Sequence, residues 1–177
     1  VENHQNVITD QAIVTLVNDS QTGLIWGGSS IRGGGGTEPR AKTPVLFGWS
    51  PTNQKITKEI TLPEGNREVA SLCRVDRRLF LTCQPSNDLL VYDLDKDAIV
   101  HRVKLEASPV LARSLAFNPL DGQLYGLTNR EIVRIDPESF AQAVVAVSPR
   151  PLTCGFALIG HDIFTGAGAH LLRYRLP

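Results

Sequence analysis

Apolar residues fall in short runs along this chain, six to eight positions long and rich in Val, Ile, Leu, Phe and Tyr, from Ala12 onward. Between the runs stand Gly, Pro, Asn and Asp, as in Asn118-Pro119-Leu120-Asp121-Gly122. Runs of that length bounded by turn residues predict β-strands. No window of a dozen residues carries an apolar period of 3.6, so helices are not expected. The segment 98–105 (AIVHRVKL) alternates polar and apolar side chains, the pattern of a strand with one face in water.

The predicted strands recur in a fixed order. First strands lie at 12–19, 68–75, 112–119 and 152–159, and second strands at 23–30, 78–85, 123–129 and 162–169. Third strands lie at 44–51 (PVLFGWSP), 88–95 (DLLVYDLD), 130–137 (REIVRIDP) and 170–177 (HLLRYRLP). Trp49, Tyr92, Ile135 and Tyr174 occupy matching places on them, at steps of 43, 43 and 39 residues. Four strands per unit of about 40–45 residues define the blade of a β-propeller. The expected fold is therefore all-β: about four four-stranded blades over residues 12–62, 68–105, 112–148 and 152–177, with one insertion at 31–43. A plain β-sandwich is the alternative, though it needs no regular period. The fourth repeat stops at Pro177 with its third strand. Either the segment around Val7-Ile8-Thr9 supplies the missing strand, or the chain is part of a larger or intermolecularly completed ring. The second is expected, since rings hold about four to eight blades.

The phrase Leu124-Tyr125-Gly126-Leu127-Thr128 followed by Ile132-Val133-Arg134-Ile135-Asp136-Pro137 resembles that of bacterial quinoprotein-like and YVTN-type β-propeller repeat proteins. Leu89-Leu90-Val91-Tyr92-Asp93 resembles their "VYD" phrase. The resemblance covers roughly residues 12–177 and lies at the level of the repeat. The Trp-Asp pair of the commonest propeller repeat and a quinone-binding Trp signature are missing from the sequence, and neither the Gly-His pair nor the double-Gly kelch pattern recurs from repeat to repeat. What the resemblance implies is the fold. Such propellers include lyases, lactonases, dehydrogenases and pure binding modules, so function has to be argued from a site.

Lys+Arg equals Asp+Glu at 18 each, which argues against non-specific nucleic-acid binding. No apolar stretch has the length of a membrane span, so no membrane partner is expected. The sequence has no Met and opens on Val1 without a signal-peptide pattern. A processed product or a fragment is expected, soluble and either cytoplasmic or secreted. Cys73, Cys83 and Cys154 show no metal-ligand spacing and read as small buried hydrophobes. A turn at Asp76–Arg77 would pair position 73 with position 80, leaving Cys73 and Cys83 out of register for a disulfide. Neither a metal nor a cofactor is expected.

Charge is divided between the two ends of the predicted blades. Loops joining second to third strands, and each blade to the next, carry Arg32, Arg40, Lys42, Arg67, Arg113, Arg130 and Arg150 against Glu38, Glu64 and Glu106. Loops at the other end carry Arg77 and Lys96 against Asp19, Asp76, Asp95, Asp97, Asp121 and Glu138. The seven cations are the expected ligand-binding set, because Arg forks suit carboxylates and phosphates. Gly33–Gly36 lacks the spacing and following helix of a phosphate loop and reads as a flexible tip or a lid. His170, opening a third strand among the cations, and Tyr125 are the candidate proton-transfer residues. No ordered triad or carboxylate pair accompanies them. The expectation is a non-catalytic binding propeller with a basic mouth for an anionic small molecule or acidic oligosaccharide. A uronate-polysaccharide lyase using His170 or Tyr125, and a scaffold completed by other blades, are the alternatives.

Overall fold

The computed structural model describes residues 1–5, 7–32 and 40–176, and of Cys154 the backbone alone. The glycine tip Gly33–Gly36 lies outside them. Blade one comprises β1 (Ala12–Asp19), β2 (Leu24–Ser30), β3 (Val45–Ser50) and β4 (Lys55–Thr61). Blade two comprises β5 (Glu68–Val75), β6 (Arg78–Gln84), β7 (Asp88–Asp93) and β8 (Ala98–Lys104). Blade three comprises β9 (Leu115–Asn118), β10 (Gln123–Leu127), β11 (Glu131–Ile135) and β12 (Gln142–Val147). Blade four comprises β13 (Cys154–Ile159), β14 (Asp162–Ala167) and β15 (His170–Arg175). Neighbouring strands within each blade pair antiparallel. The chain is an all-β arc of a propeller, and the described residues include no helix.

The register bears out the repeat. Trp49 pairs with Ile25, Tyr92 with Leu79, Ile135 with Leu124 and Tyr174 with Ile163, in each case the second residue of the blade's second strand. The next residue along these strands is Trp26, Phe80, Tyr125 and Phe164, an aromatic in every blade that the sequence reading passed over. Because alternate residues of a strand face opposite ways, these two positions serve opposite faces of the blade. The second position packs back on the preceding blade and the third packs forward on the following one. Trp26, Leu46 and Tyr92 share the apolar cluster between blades one and two. Phe80, Leu89, Leu124 and Ile135 share that between blades two and three. Tyr125, Leu127, Ile163 and Ala167 share that between blades three and four. Each such side chain, fully buried, contributes about 1.5–3 kcal/mol.

Two first strands start later than their apolar patterns suggest. β9 begins at Leu115 and not at 112, because Arg113 takes a left-handed φ of +57° and donates its N–H to the Ala70 carbonyl of blade two at 2.8 Å. β13 begins at Cys154 and not at 152, because the Leu152 N–H goes to Asn129 of blade three at 2.7 Å. Both linkers bond to the blade they leave before entering the next.

The N-terminal segment does not add to β15. Ile8 is buried against Val45 and Phe47 on the outer side of blade one, with Val7, Trp49 and Ile56 around it. The outer edge of β15 has no strand beside it among the described residues. Cys73 and Cys83 are buried free thiols, and Cys73 pairs with Phe80 across the hairpin. Burial pushes the Cys73 thiol up to about 11, and burial with the nearby Asp88 carboxylate pushes Cys83 up to about 12.

Close approach of blades one and two requires a bare backbone at Gly28. A Cβ there would stand 2.5 Å from Cβ and Cγ1 of Val69. At Gly48 the nearest atom, Lys58 Cβ, would be 3.4 Å away. Gly28→Ala should cost about 1–3 kcal/mol of stability through overpacking, measured by urea unfolding, and Gly48→Ala clearly less.

Candidate functional site: the loop end of the arc

Antiparallel strands bring the connections β2–β3, β6–β7, β10–β11 and β14–β15, with the three blade-to-blade linkers, to one end of the arc. All seven predicted cations lie in these segments and are exposed. They are held there in different ways. Arg113 is the most tightly placed. Besides its N–H to Ala70, its Nε donates to the Val14 carbonyl at 2.7 Å. Val14 and Ala70 are the residues skipped by β-bulges at the same place in β1 and β5, so their carbonyls are free of the sheet ladder. Ser71 completes the anchor: its hydroxyl donates to the Leu111 carbonyl and accepts from the Ser114 N–H, both at 2.8 Å. One linker residue thereby joins blades one, two and three.

Arg32 is held by Glu68 at 3.1 Å and by the Gln84 side-chain carbonyl at 2.8 Å. Arg40 lies 3.6 Å from Asp10. Arg150 donates through Nη1 to His170 Nε2 at 3.0 Å, since a guanidinium cannot accept. That contact occupies the lone pair a general base would use. Arg130 sits close by through its main chain, its carbonyl accepting from Ser148 at 2.7 Å. Arg67 is fixed by main-chain bonds to Ile31 and Gln84, at 2.9 and 2.7 Å. Among the described residues, Lys42, Arg67, Arg113, Arg130 and Arg150 have no carboxylate within ion-pair distance.

The opposite end is different. Asp19, fully buried, pairs with Arg74 at 3.1 Å and lies 3.9 Å from Arg77, which binds Asp95 at 2.9 Å. Arg78 reaches from blade two to Glu138 of blade three at 3.0 Å, and Lys58 of blade one pairs with Asp97 of blade two. Tyr125 belongs to this end. Its hydroxyl donates to Asp121 at 2.7 Å, and burial together with that carboxylate holds its pKa above the ordinary tyrosine value. His170 and the Tyr125 hydroxyl therefore lie toward opposite ends of the blades. Arg74 was missed by the sequence reading because it sits inside a strand, where nothing marks it as the partner of an acid in the preceding blade.

Among the described residues no group of three or more His, Cys, Asp or Glu could hold a metal, and no helix is long and apolar enough to cross a membrane. A recess between blades three and four, about 240 Å³, is lined mainly by apolar atoms of Ile132, Val147, Leu152, Leu172 and Tyr174.

No protein-family model matches the chain, and no curated protein matches it in sequence. Solved structures do match in shape. The WD40 repeats of RRP9 superpose with a TM-score of 0.70 at 12% identity, over 98% of this chain and 52% of that one. A gluconolactonase from Xanthomonas campestris gives 0.66 at 16% identity, over 92% of this chain and 56% of that one. The computationally designed protein Ika4 gives 0.67 at 13% identity, over 100% of this chain and 96% of that one. At such identities the likeness shows the β-propeller fold alone. The chain spans about half the length of the two natural propellers.

The buried Asp19 makes acid sensitivity a test of the opposite end. Burial acts to raise its pKa, but the Thr22 hydroxyl, the Gln21 N–H and Arg74 outweigh burial and bring it below the ordinary carboxylate value. A carboxyl depressed by folding contributes stability that is complete above about pH 4 and lost as pH falls through the folded value. Asp19→Asn should cost about 3 kcal/mol at neutral pH by stranding Arg74, and its stability should fall less steeply below about pH 4 than that of the parent. Urea titrations at several pH values measure both; an unchanged acid slope would remove Asp19 from this role.

Proposed function

We propose that this propeller arc is a non-catalytic binding module whose loop end takes an anionic ligand, with acidic oligosaccharides as the class that fits best. The supporting observation is the uneven neutralisation of charge. Five cations at the loop end lack a carboxylate among the described residues, whereas Arg74, Arg77, Arg78 and Arg175 at the other end each have one. Unneutralised cations facing one way raise the local concentration of anions, and several weak contacts add along a ligand with repeated carboxylates. Arg113, Arg130 and Arg150 lie on different linkers and loops, which suits an extended ligand better than a single compact ion. The binding reading is better supported than a uronate lyase, because His170 gives its Nε2 to Arg150 and Tyr125 is engaged at the far end. The phrases at 124–128 and 132–137 support kinship with quinoprotein-like and YVTN-type propellers.

Calorimetry with oligouronates and neutral oligosaccharides of equal length tests the proposal. Acidic ligands should bind more tightly, and binding should weaken as salt rises from about 50 to 300 mM through screening. Arg130→Ala with Arg150→Ala should lower the affinity for the acidic ligand about tenfold and leave the melting temperature in place, since both side chains are exposed. Equal affinity for acidic and neutral sugars would refute it.

A further inference from the structure

We infer that Arg113 is the anchor of the anion site and takes one carboxylate of the ligand end-on, between its Nη1 and Nη2 groups, on the axis side of the arc. This rests on the anionic-ligand reading above and gives that ligand its first contact. The argument starts from register. Thr15 pairs with Gly28 and Ser71 with Thr82, the fifth residue of each second strand. The Ser114 carbonyl accepts from the N–H of Leu127, the fifth residue of β10, at 3.0 Å. Val14, Ala70 and Arg113, one residue earlier, are therefore equivalent positions in blades one, two and three, at the loop end of the innermost strands. In the first two blades that position is apolar, and in the third it is a guanidinium.

The hydrogen bonds of Arg113 give the path of its side chain. Its N–H goes to Ala70 of blade two and its Nε to Val14 of blade one, at 2.8 and 2.7 Å. β5 packs against β1 on one side and β9 on the other, so a side chain rooted in blade three reaches blade one only by crossing β5. The layers on either side of blade two are filled by Leu79 and Leu81 on one face and Phe80 and Val91 on the other, all fully buried. The crossing therefore runs along the inner edge of blade two, where the first strands of a propeller surround its axis. Arg113 is exposed, so the free end of its guanidinium stands in solvent there.

Which donors remain decides what Arg113 can hold. A guanidinium carries its donors in a planar fork, and the bond from Nε to Val14 takes the side-on edge out of use. Among the described residues Nη1 and Nη2 donate to no protein group, so the end-on edge is open. Two N–H groups side by side on that edge match the two oxygens of one carboxylate. The tie to Val14 has already removed much of the side-chain freedom that binding would otherwise cost. The backbone points the same way: glycine adopts the φ of +57° without strain, so it is the side chain that calls for Arg here. Arg67 and Arg130, by contrast, are fixed through their main chains only. Their mobile side chains suit the later acidic units of an extended ligand, after the first is seated on Arg113.

Phenylglyoxal probes the same two atoms, because this dicarbonyl condenses with Nη1 and Nη2 of an arginine. On the unaltered chain, a saturating trimer of galacturonate should protect Arg113 from modification, read by mass mapping, and a neutral glucose trimer should not. Arg113→Lys keeps the charge and loses the fork. It should bind the acidic trimer about tenfold more weakly by calorimetry, while the salt dependence stays that of the parent. A clasp with a structural role alone would lower the melting temperature of Arg113→Lys and leave its preference for acidic over neutral trimer unchanged, which would overturn the assignment. The protection experiment decides the matter if the variant does not fold. If the parent binds the acidic trimer and Arg113 still reacts at its unprotected rate, this assignment falls and the anion site stands without it. If the parent binds no acidic trimer, both fall together.

Discussion

A blade whose two faces are both apolar is stable only between two neighbours, and this constraint governs the arc. Blade two shows it most fully. Leu79, Leu81 and Leu90 face blade one while Phe80, Leu89 and Val91 face blade three, and all six are without exposed surface. Such a sheet resembles the strands of a parallel α/β fold in reading as a continuous apolar run, because neither side meets water. The outer strands β4, β8 and β12 contain no fully buried residue, since they meet a neighbour on one side and solvent on the other. The close approach at Gly28 and Val69 and the late start of β9 both follow from fitting these layers against one another.

Strand positions were legible in the sequence because turn residues mark them without reference to distant parts of the chain. β1 and β5 match the apolar runs to the residue, and most other strands differ by one or two positions at an end. The aromatic at Trp26, Phe80, Tyr125 and Phe164 was not legible in the same way. Its neighbours change from blade to blade, and its equivalence rests on cross-strand pairing, which a linear reading does not contain. The candidate site divides along the same line. That the seven cations share one end follows from strand alternation alone. Which of them are neutralised depends on contacts such as Arg32 with Glu68 and Arg40 with Asp10, between residues far apart in sequence.

Zero net charge conceals a strong internal asymmetry. At the end holding Asp19, acids and cations are interlocked within and between blades, and five aspartates are held below their ordinary pKa. The loop end uses main-chain carbonyls for the same purpose of fixing Arg113, and a carbonyl positions a guanidinium without cancelling its charge. One end is thereby built to stiffen the arc and the other to keep its charge available.

The two described thiols divide the interior in a useful manner. Cys83 belongs to the layer between blades one and two, and Cys73 to the layer between blades two and three. Both are protonated and enclosed, so neither reacts until its own layer parts. The rate at which each is alkylated under native conditions is consequently a clock for one seam, and comparing the two would tell whether the arc breathes as a unit or opens blade by blade.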